Sequence, residues 1–139
     1  MSTRGDHRDA LRVAAGTLSS LERGIVRVVP LPRGLYGSPP VVPLEALVVR
    51  DHTGEPRAYL NRCRHLPIPL SFGRPTGLSL YDASHEFLTK DNQALECKTH
   101  GARYRLGDGM CFEGPCEGRA LVRIELLVEG DEVYLIPAT

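Results

Sequence analysis

Apolar residues from Ile25 onward are grouped in short runs that are rich in β-branched side chains and separated by polar turns. Such runs are typical of strands, and closely spaced pairs of them are typical of hairpins. Three pairs predict three hairpins: Ala46–Arg50 with Arg57–Asn61, His85–Thr89 with Ala94–Lys98, and Ala120–Val128 with Glu132–Ile136. A further run, Ile25–Val29, ends at Pro30 and predicts another strand. The pattern therefore predicts an all-β domain, a sandwich or a barrel.

The N-terminal segment follows a different period. Between residues 7 and 21, apolar side chains recur at helical spacing: Leu11, Ala14, Ala15, Leu18 and Leu21. This spacing is compatible with a short helix, although Gly16 weakens that interpretation, and a loose extended segment is the alternative. We therefore divide the chain into an N-terminal extension, 1–22, and one domain, 23–139.

Composition and charge narrow the functional classes. Of the 139 residues 42% are hydrophobic and 24% are charged, as expected of a soluble globular protein. Lysine and arginine together balance aspartate and glutamate, 17 against 17, so the net charge does not favour nucleic acid or an anionic membrane as a partner. No apolar stretch is long enough to span a membrane or to form a signal-peptide core. We expect a cytoplasmic protein with reduced cysteines.

Two short segments contain residues suited to metal chemistry: Cys63-Arg64-His65 and Cys97-Lys98-Thr99-His100-Gly101. Each segment combines one thiolate with one imidazole, and each follows a predicted strand. A binuclear iron–sulfur cluster with mixed ligation requires two cysteines on one iron and two histidines on the other. A structural zinc site is the alternative, but zinc sites usually space paired ligands more widely than C-x-H.

The two segments resemble the Rieske family, whose pattern is C-x-H followed by C-x-x-H-G. The resemblance covers about residues 57–128, with Tyr104, Gly107-Asp108-Gly109 and Gly114-Pro115 at positions typical of the family. It implies a Rieske-like fold with a cluster-binding lobe over about residues 61–117. It also implies one [2Fe-2S] cluster per chain, with Cys63 and Cys97 on the inner iron and His65 and His100 on the outer iron.

The resemblance further implies a soluble one-electron carrier of the ferredoxin-like branch, which transfers electrons from a flavin-dependent reductase to a terminal oxygenase. A redox-sensing subunit is an alternative function. Family members of high potential join the two ligand loops by a disulfide, but Ile68 and Thr99 occupy those positions here. Ala102 replaces a serine that donates a hydrogen bond to a bridging sulfide, and Tyr104 is retained as a second donor. These differences indicate a potential in the lower part of the Rieske range.

The remaining residues suggest three further expectations. Residues 71–84 form an insertion that we expect to lie in a lobe of its own. Cys111 and Cys116 are interpreted as half-buried free thiols, with a loop-stiffening disulfide as the alternative. Basic residues near the ligands exceed acidic ones and suggest a basic docking surface for an acidic partner: Arg62, Arg64, Lys98, Arg103 and Arg105, against Glu96. No 2-His-1-carboxylate spacing indicates a catalytic iron site, and from the length of 139 residues we expect no oxygenase catalytic domain.

Overall fold

The computed structural model describes residues 11–64, 68–71 and 79–138, and these contain only β-strands as regular elements. The strands in chain order are β1 (Val13–Thr17), β2 (Val26–Leu31), β3 (Leu44–Arg50), β4 (Pro56–Leu60), β5 (Tyr81–Ala83), β6 (Ala94–Glu96), β7 (Arg103–Arg105), β8 (Cys111–Glu113), β9 (Arg123–Glu129) and β10 (Glu132–Ile136). The all-β prediction is confirmed. No helix in the described residues is long and apolar enough to cross a membrane.

The strands form two antiparallel sheets. Seven strands make the larger sheet in the order β1-β10-β9-β4-β3-β2-β5, and three make the smaller one in the order β6-β7-β8. The guanidinium of Arg27 on β2 donates to the carbonyls of Ala15 and Thr17 on β1. Because β1 and β2 lie toward opposite ends of the strand order, these bonds show that the larger sheet is curled.

Curling of the sheet explains why the central strands are apolar on both faces. On β3, Leu47 and Val49 pack beneath the smaller sheet, whereas Ala46 and Val48 pack inside the curled sheet. Successive strand residues point to opposite faces, so each face of β3 contributes to a separate core. Tyr59 joins the larger sheet to the lobe of the smaller one, since its hydroxyl donates to the Leu106 carbonyl at 2.6 Å.

The predicted N-terminal helix is wrong within the described residues, where β1 pairs with β10. Gly16 has a φ of +79°, and the pairing is irregular between Ala14 and Thr17. This conformation does not fit a right-handed helix, and hydrogen bonds to β10 replace those that a helix would make. β1 thus lies within the predicted extension 1–22 but belongs to the larger sheet, and the boundary at residue 22 stays a prediction.

The first and third predicted hairpins are confirmed as β3–β4 and β9–β10. In the second, residues 85–89 are a turn rather than a strand, joined to β6 by one bridge between Leu88 and Leu95. The amides of Phe87 and Leu88 both donate to the Ser84 carbonyl, which curls the backbone. β5 was not predicted, and its pairing with β2 places the end of the 71–84 insertion in the larger sheet rather than in a separate lobe.

β2 extends through Pro30, where the sequence predicted its end. The pairing with β5 ends opposite Val28, so among the described strands β3 alone pairs with β2 at Pro30. A proline cannot donate a backbone hydrogen bond and is tolerated where a strand has a free edge.

Candidate metal centre

The first ligand loop leaves the end of β4 and is held by Asn61. The Asn61 side chain donates to Glu45 Oε1 at 2.9 Å and accepts from the Leu70 amide at 2.9 Å. The Cys63 amide donates to the Ile68 carbonyl at 2.7 Å, which closes the loop. Cys63 is thereby fixed at the sheet end with 2% of its surface exposed. His65 lies outside the described residues.

The second ligand loop follows β6 and is closed by hydrogen bonds of its own backbone. The Cys97 amide donates to the Ala102 carbonyl and the Gly101 amide donates to the Cys97 carbonyl, each at 2.8 Å. Gly101 has a φ of +77°, which favours glycine. The Lys98 amide donates to the Leu70 carbonyl, so a backbone hydrogen bond connects the two ligand loops.

These two loops bring three of the four predicted ligands together. One ligand atom each from Cys63, Cys97 and His100 all lie within 4.8 Å of one another. Both cysteines are buried, whereas His100 is half-buried. The centre therefore has a closed side formed by sulfur and a more open side formed by imidazole.

The environment of Cys97 suits a sulfur ligand. Burial raises the pKa of its thiol, the amides of His100 and Thr99 lower it through hydrogen bonds, and the neighbouring Cys63 thiol raises it. Two thiolates side by side in a buried site require a compensating positive charge, which a metal provides. The donor set of two thiols and an imidazole, with inward-pointing amides, fits a cluster with mixed sulfur and nitrogen ligation.

Tyr104 on β7 connects the ligands to a third loop, which follows β8 and contains Gly114, Pro115 and Cys116. Its hydroxyl lies 3.4 Å from Cys63 Sγ and 3.0 Å from Cys116 Sγ, and it accepts from the Arg64 amide at 3.0 Å. Burial and the two cysteines raise its pKa far above 10. The Tyr104 hydroxyl is therefore within hydrogen-bond distance of the Cys63 sulfur, and its donation to that sulfur stays a prediction. Its contact with Cys116 was not predicted, because strand pairing and a turn determine it rather than sequence spacing.

The third loop covers the second. Gly114 has a φ of +106°, and a Cβ atom there would lie 2.7 Å from the Cα atom of Ala102. Only glycine allows the two backbones to approach so closely. Cys111 and Cys116 are free thiols, as predicted, but they are buried rather than half-buried.

Most of the basic residues proposed as a docking surface have acidic partners. Lys98 and Arg103 both pair with Glu96, at 2.7 and 3.0 Å. Arg105 pairs with Asp108 at 2.7 Å, and Arg103 also lies 3.5 Å from Glu113. The sequence window omitted Asp108, which lies three residues after Arg105, and Glu113, which the pairing of β7 with β8 brings close to Arg103. The local positive charge is therefore smaller than the sequence indicated.

Comparison with known proteins agrees with this geometry. The family model described as Rieske [2Fe-2S] domain matches residues 27–128. The oxygenase component of chloroacetanilide N-alkylformylase from Rhizorhabdus wittichii (strain DC-6 / KACC 16600) is 35% identical over 71 residues, which are 51% of this chain and 16% of that protein. The chain thus spans about a sixth of the length of this curated relative.

Solved structures share the fold. The ferredoxin of carbazole 1,9a-dioxygenase from Nocardioides aromaticivorans IC177 matches with a TM-score of 0.55 and 23% identity, over 91% of this chain and 97% of that chain. The terminal oxygenase of carbazole 1,9a-dioxygenase from Nocardioides aromaticivorans IC177 matches with a TM-score of 0.62 and 20% identity, over 92% of this chain and 30% of that chain. Since the family match spans most of the chain and the fold and donor set agree with it, the protein belongs to the Rieske [2Fe-2S] domain family and its cofactor is a [2Fe-2S] cluster.

Proposed function

We propose that the protein is a one-electron carrier whose cluster is bound by Cys63 and Cys97 through sulfur and by His65 and His100 through nitrogen. The observation that carries this proposal is the convergence of Cys63, Cys97 and His100 within 4.8 Å at the meeting point of two loops. His65 completes the set through the C-x-H motif that it forms with Cys63.

The chain's own residues would adapt this site to electron transfer. When bound, the cluster accepts and returns single electrons. Burial of Cys63 and Cys97 keeps water from the sulfur ligands, whereas the half-buried His100 leaves a short path to the surface. The Tyr104 hydroxyl lies 3.4 Å from Cys63 Sγ, and by donating to the ligand thiolate it would stabilise negative charge on that sulfur and favour the reduced form. Ala102 cannot donate such a bond, which favours a potential in the lower part of the Rieske range.

We further propose a flavin-dependent reductase as the electron donor and a terminal oxygenase as the acceptor, with residues 23–139 as the Rieske domain and 61–117 as its cluster-binding lobe. Support comes from a fold match to a complex of reduced oxygenase and oxidised ferredoxin in carbazole 1,9a-dioxygenase, with a TM-score of 0.60 over 93% of this chain and 96% of that chain. The curated relative is itself an oxygenase component.

Ligand assignment is tested by a matched pair of histidine variants. His100→Ala removes a proposed ligand, and His85→Ala removes an exposed imidazole outside the site. We expect His85→Ala to retain two irons and two acid-labile sulfides per chain, as in a Rieske centre. His100→Ala should lose the cluster or the electron paramagnetic resonance signal of a histidine-ligated centre. Unchanged signals in His100→Ala would refute its role, and about one zinc in the parent protein would refute the carrier function.

A stopped-flow experiment distinguishes a carrier from a sensor. The oxidised protein is mixed with NADH and a flavin reductase, and the reduced protein is then mixed with a terminal oxygenase and its substrate, while visible absorption is followed. A carrier is reduced in the first step and reoxidised in the second within the turnover time of the oxygenase. Reduction without reoxidation would favour the redox-sensing alternative.

A further inference from the structure

Cys111 and Cys116 form a pair of buried thiols in contact with each other. Their sulfur atoms lie 3.3 Å apart, and 1% and 3% of their surfaces are exposed. The residues between them, 112–115, are exposed, and a turn bond from the Glu117 amide to the Gly114 carbonyl follows. Only a small movement of one side chain would bring the sulfur atoms to the bonding distance of about 2.05 Å.

Tyr104 connects this pair to the metal centre. Its hydroxyl lies between Cys116 Sγ at 3.0 Å and Cys63 Sγ at 3.4 Å, and it also accepts from the Arg64 amide. Tyr104 has a single hydrogen to donate. With Cys63 deprotonated as a ligand, that hydrogen belongs on Cys63, and the phenolic oxygen accepts from the Arg64 amide and the Cys116 thiol.

We propose that Cys111 and Cys116 are a reversible dithiol–disulfide site whose oxidation weakens the hydrogen bond from Tyr104 to Cys63 and so lowers the potential of the centre. The inference deepens the proposed function and rests on its assignment of Cys63 as a ligand. The thiol pair belongs to the third loop and supplies no ligand itself.

The oxidant in this proposal is a low-molecular-weight disulfide such as oxidised glutathione. One protein thiolate attacks it, forms a mixed disulfide and releases one glutathione thiolate, which takes up a proton. The second protein thiol then loses its proton, attacks the mixed disulfide and releases the second glutathione. One sulfur–sulfur bond forms in the protein, one breaks in the oxidant, and two electrons pass from the protein sulfurs to glutathione.

The buried position of the pair determines its stability in both forms. Burial and the neighbouring Cys116 thiol raise the pKa of the Cys111 thiol to about 11, so Cys111 stays protonated at neutral pH. The initial attack is therefore slow and requires opening of the loop. Closure is fast, because the second sulfur is already in contact with the first.

The direction of the effect follows from the loss of a proton donor. A disulfide has no S–H group, so the Tyr104 oxygen keeps the Arg64 amide as a donor and loses Cys116. Hydrogen bonds in a chain strengthen one another, and the Tyr104 hydroxyl thus becomes a weaker donor to Cys63. Weaker donation destabilises the reduced centre. We expect about a threefold change in the one-electron equilibrium constant, or about 28 mV at 59 mV per tenfold change.

The test equilibrates the holoprotein anaerobically in glutathione redox buffers, quenches it in acid, and counts alkylated thiols by mass spectrometry. The chain has four cysteines, and we expect four alkylated thiols under reducing conditions and two under oxidising conditions, with dithiothreitol restoring four. The midpoint potential, followed by electron paramagnetic resonance, should be lower in the oxidised sample. Cys111→Ser cannot form the disulfide and should keep the higher potential in every buffer.

Tyr104→Phe separates the two parts of the proposal. This variant should still form the disulfide, but its potential should be low and the same in both thiol states. Four alkylated thiols in every buffer, stable glutathione adducts in place of the disulfide, or a potential in the parent protein that does not follow the thiol count would overturn the inference. Failure of the proposed function is recognised separately by the absence of iron and sulfide, and the thiol count still reports on the cysteine pair.

Discussion

The carboxylate of Asp51 stabilises the turn between β3 and β4, the hairpin that leads into the first ligand loop. Its Oδ1 atom accepts from the Thr53 amide at 2.9 Å, the Thr53 hydroxyl at 2.6 Å and the Glu55 amide at 3.0 Å. Its Oδ2 atom accepts from Arg57 Nε at 3.0 Å, and 6% of the Asp51 side chain is exposed. All four bonds favour the charged form, and replacement by asparagine removes that charge while keeping the size of the side chain.

The pKa of Asp51 sets the size of the expected loss. Burial alone would raise this pKa, but the hydrogen bonds from Thr53, Arg57 and Glu55 outweigh it and lower the pKa from 3.8 to about 2. One pKa unit corresponds to about 1.4 kcal/mol, so the ionised carboxylate contributes at most about 2.5 kcal/mol. Water near the turn screens part of this energy, and we expect a loss of about 1–2 kcal/mol for Asp51→Asn.

The contribution of Asp51 has a defined pH dependence. A lowered folded-state pKa stabilises the protein fully above the unfolded-state pKa of 3.8, and the stabilisation is lost as the pH falls through about 2. The difference between Asp51→Asn and the parent protein should therefore be the same at pH 7 and pH 5. It should become smaller below about pH 4.

The assay is anaerobic unfolding in guanidinium chloride, followed by far-ultraviolet circular dichroism. A slope of about 3 kcal/mol per molar converts the expected loss to a decrease in midpoint of about 0.3–0.7 M. Asp91→Asn is the matched control, because Asp91 accepts from Thr89 and Gln93 in a similar turn but is exposed. We expect a clearly smaller decrease for it. Equal decreases for the two variants, or a difference at Asp51 that grows between pH 7 and pH 5, would refute the reasoning.

Three further predictions concern contacts elsewhere in the fold. Arg27→Met leaves the β1 carbonyls and Asp82 without their partner and should destabilise the protein by about 2–3 kcal/mol in the same assay. A loss of stability below about 1 kcal/mol would contradict the role of Arg27 in curling the sheet. Asn61→Ala removes the hydrogen bonds that connect Glu45 to the first ligand loop. On heating, visible absorption should be lost from a lower temperature than in the parent protein. An unchanged onset temperature would show that other contacts hold the loop. Gly114→Ala and Gly118→Ala both place a side chain at positive φ, but only the side chain at position 114 would meet backbone atoms of another loop. The iron and sulfide content should therefore fall in Gly114→Ala alone. Equal content in the two variants would mean that close contact between the two loops is not needed to hold the cluster.

The fold class and the ligand segments could be predicted from the sequence because short-range patterns encode them. The β3–β4 and β9–β10 hairpins depend on apolar runs joined by a few polar turn residues. The C-x-H and C-x-x-H spacings place a thiolate and an imidazole within one loop each. The structure then brings Cys63, Cys97 and His100 together, as expected of two loops that each leave the end of a hairpin strand.

Contacts between distant residues were decided only by the tertiary structure. The spacing of residues 7–21 fits a helix, but in the described part of this segment pairing with β10 forms strand β1, and the positive φ of Gly16 does not fit a helix. Of the basic residues near the ligands, Arg103 also lies close to Glu113, which is ten residues away and is brought there by the pairing of β7 with β8. Tyr104 meets both Cys63 and Cys116 because the third loop folds over the second. Local sequence specifies the hairpins and which residues can bind metal, whereas packing between elements far apart in the chain determines what surrounds the metal.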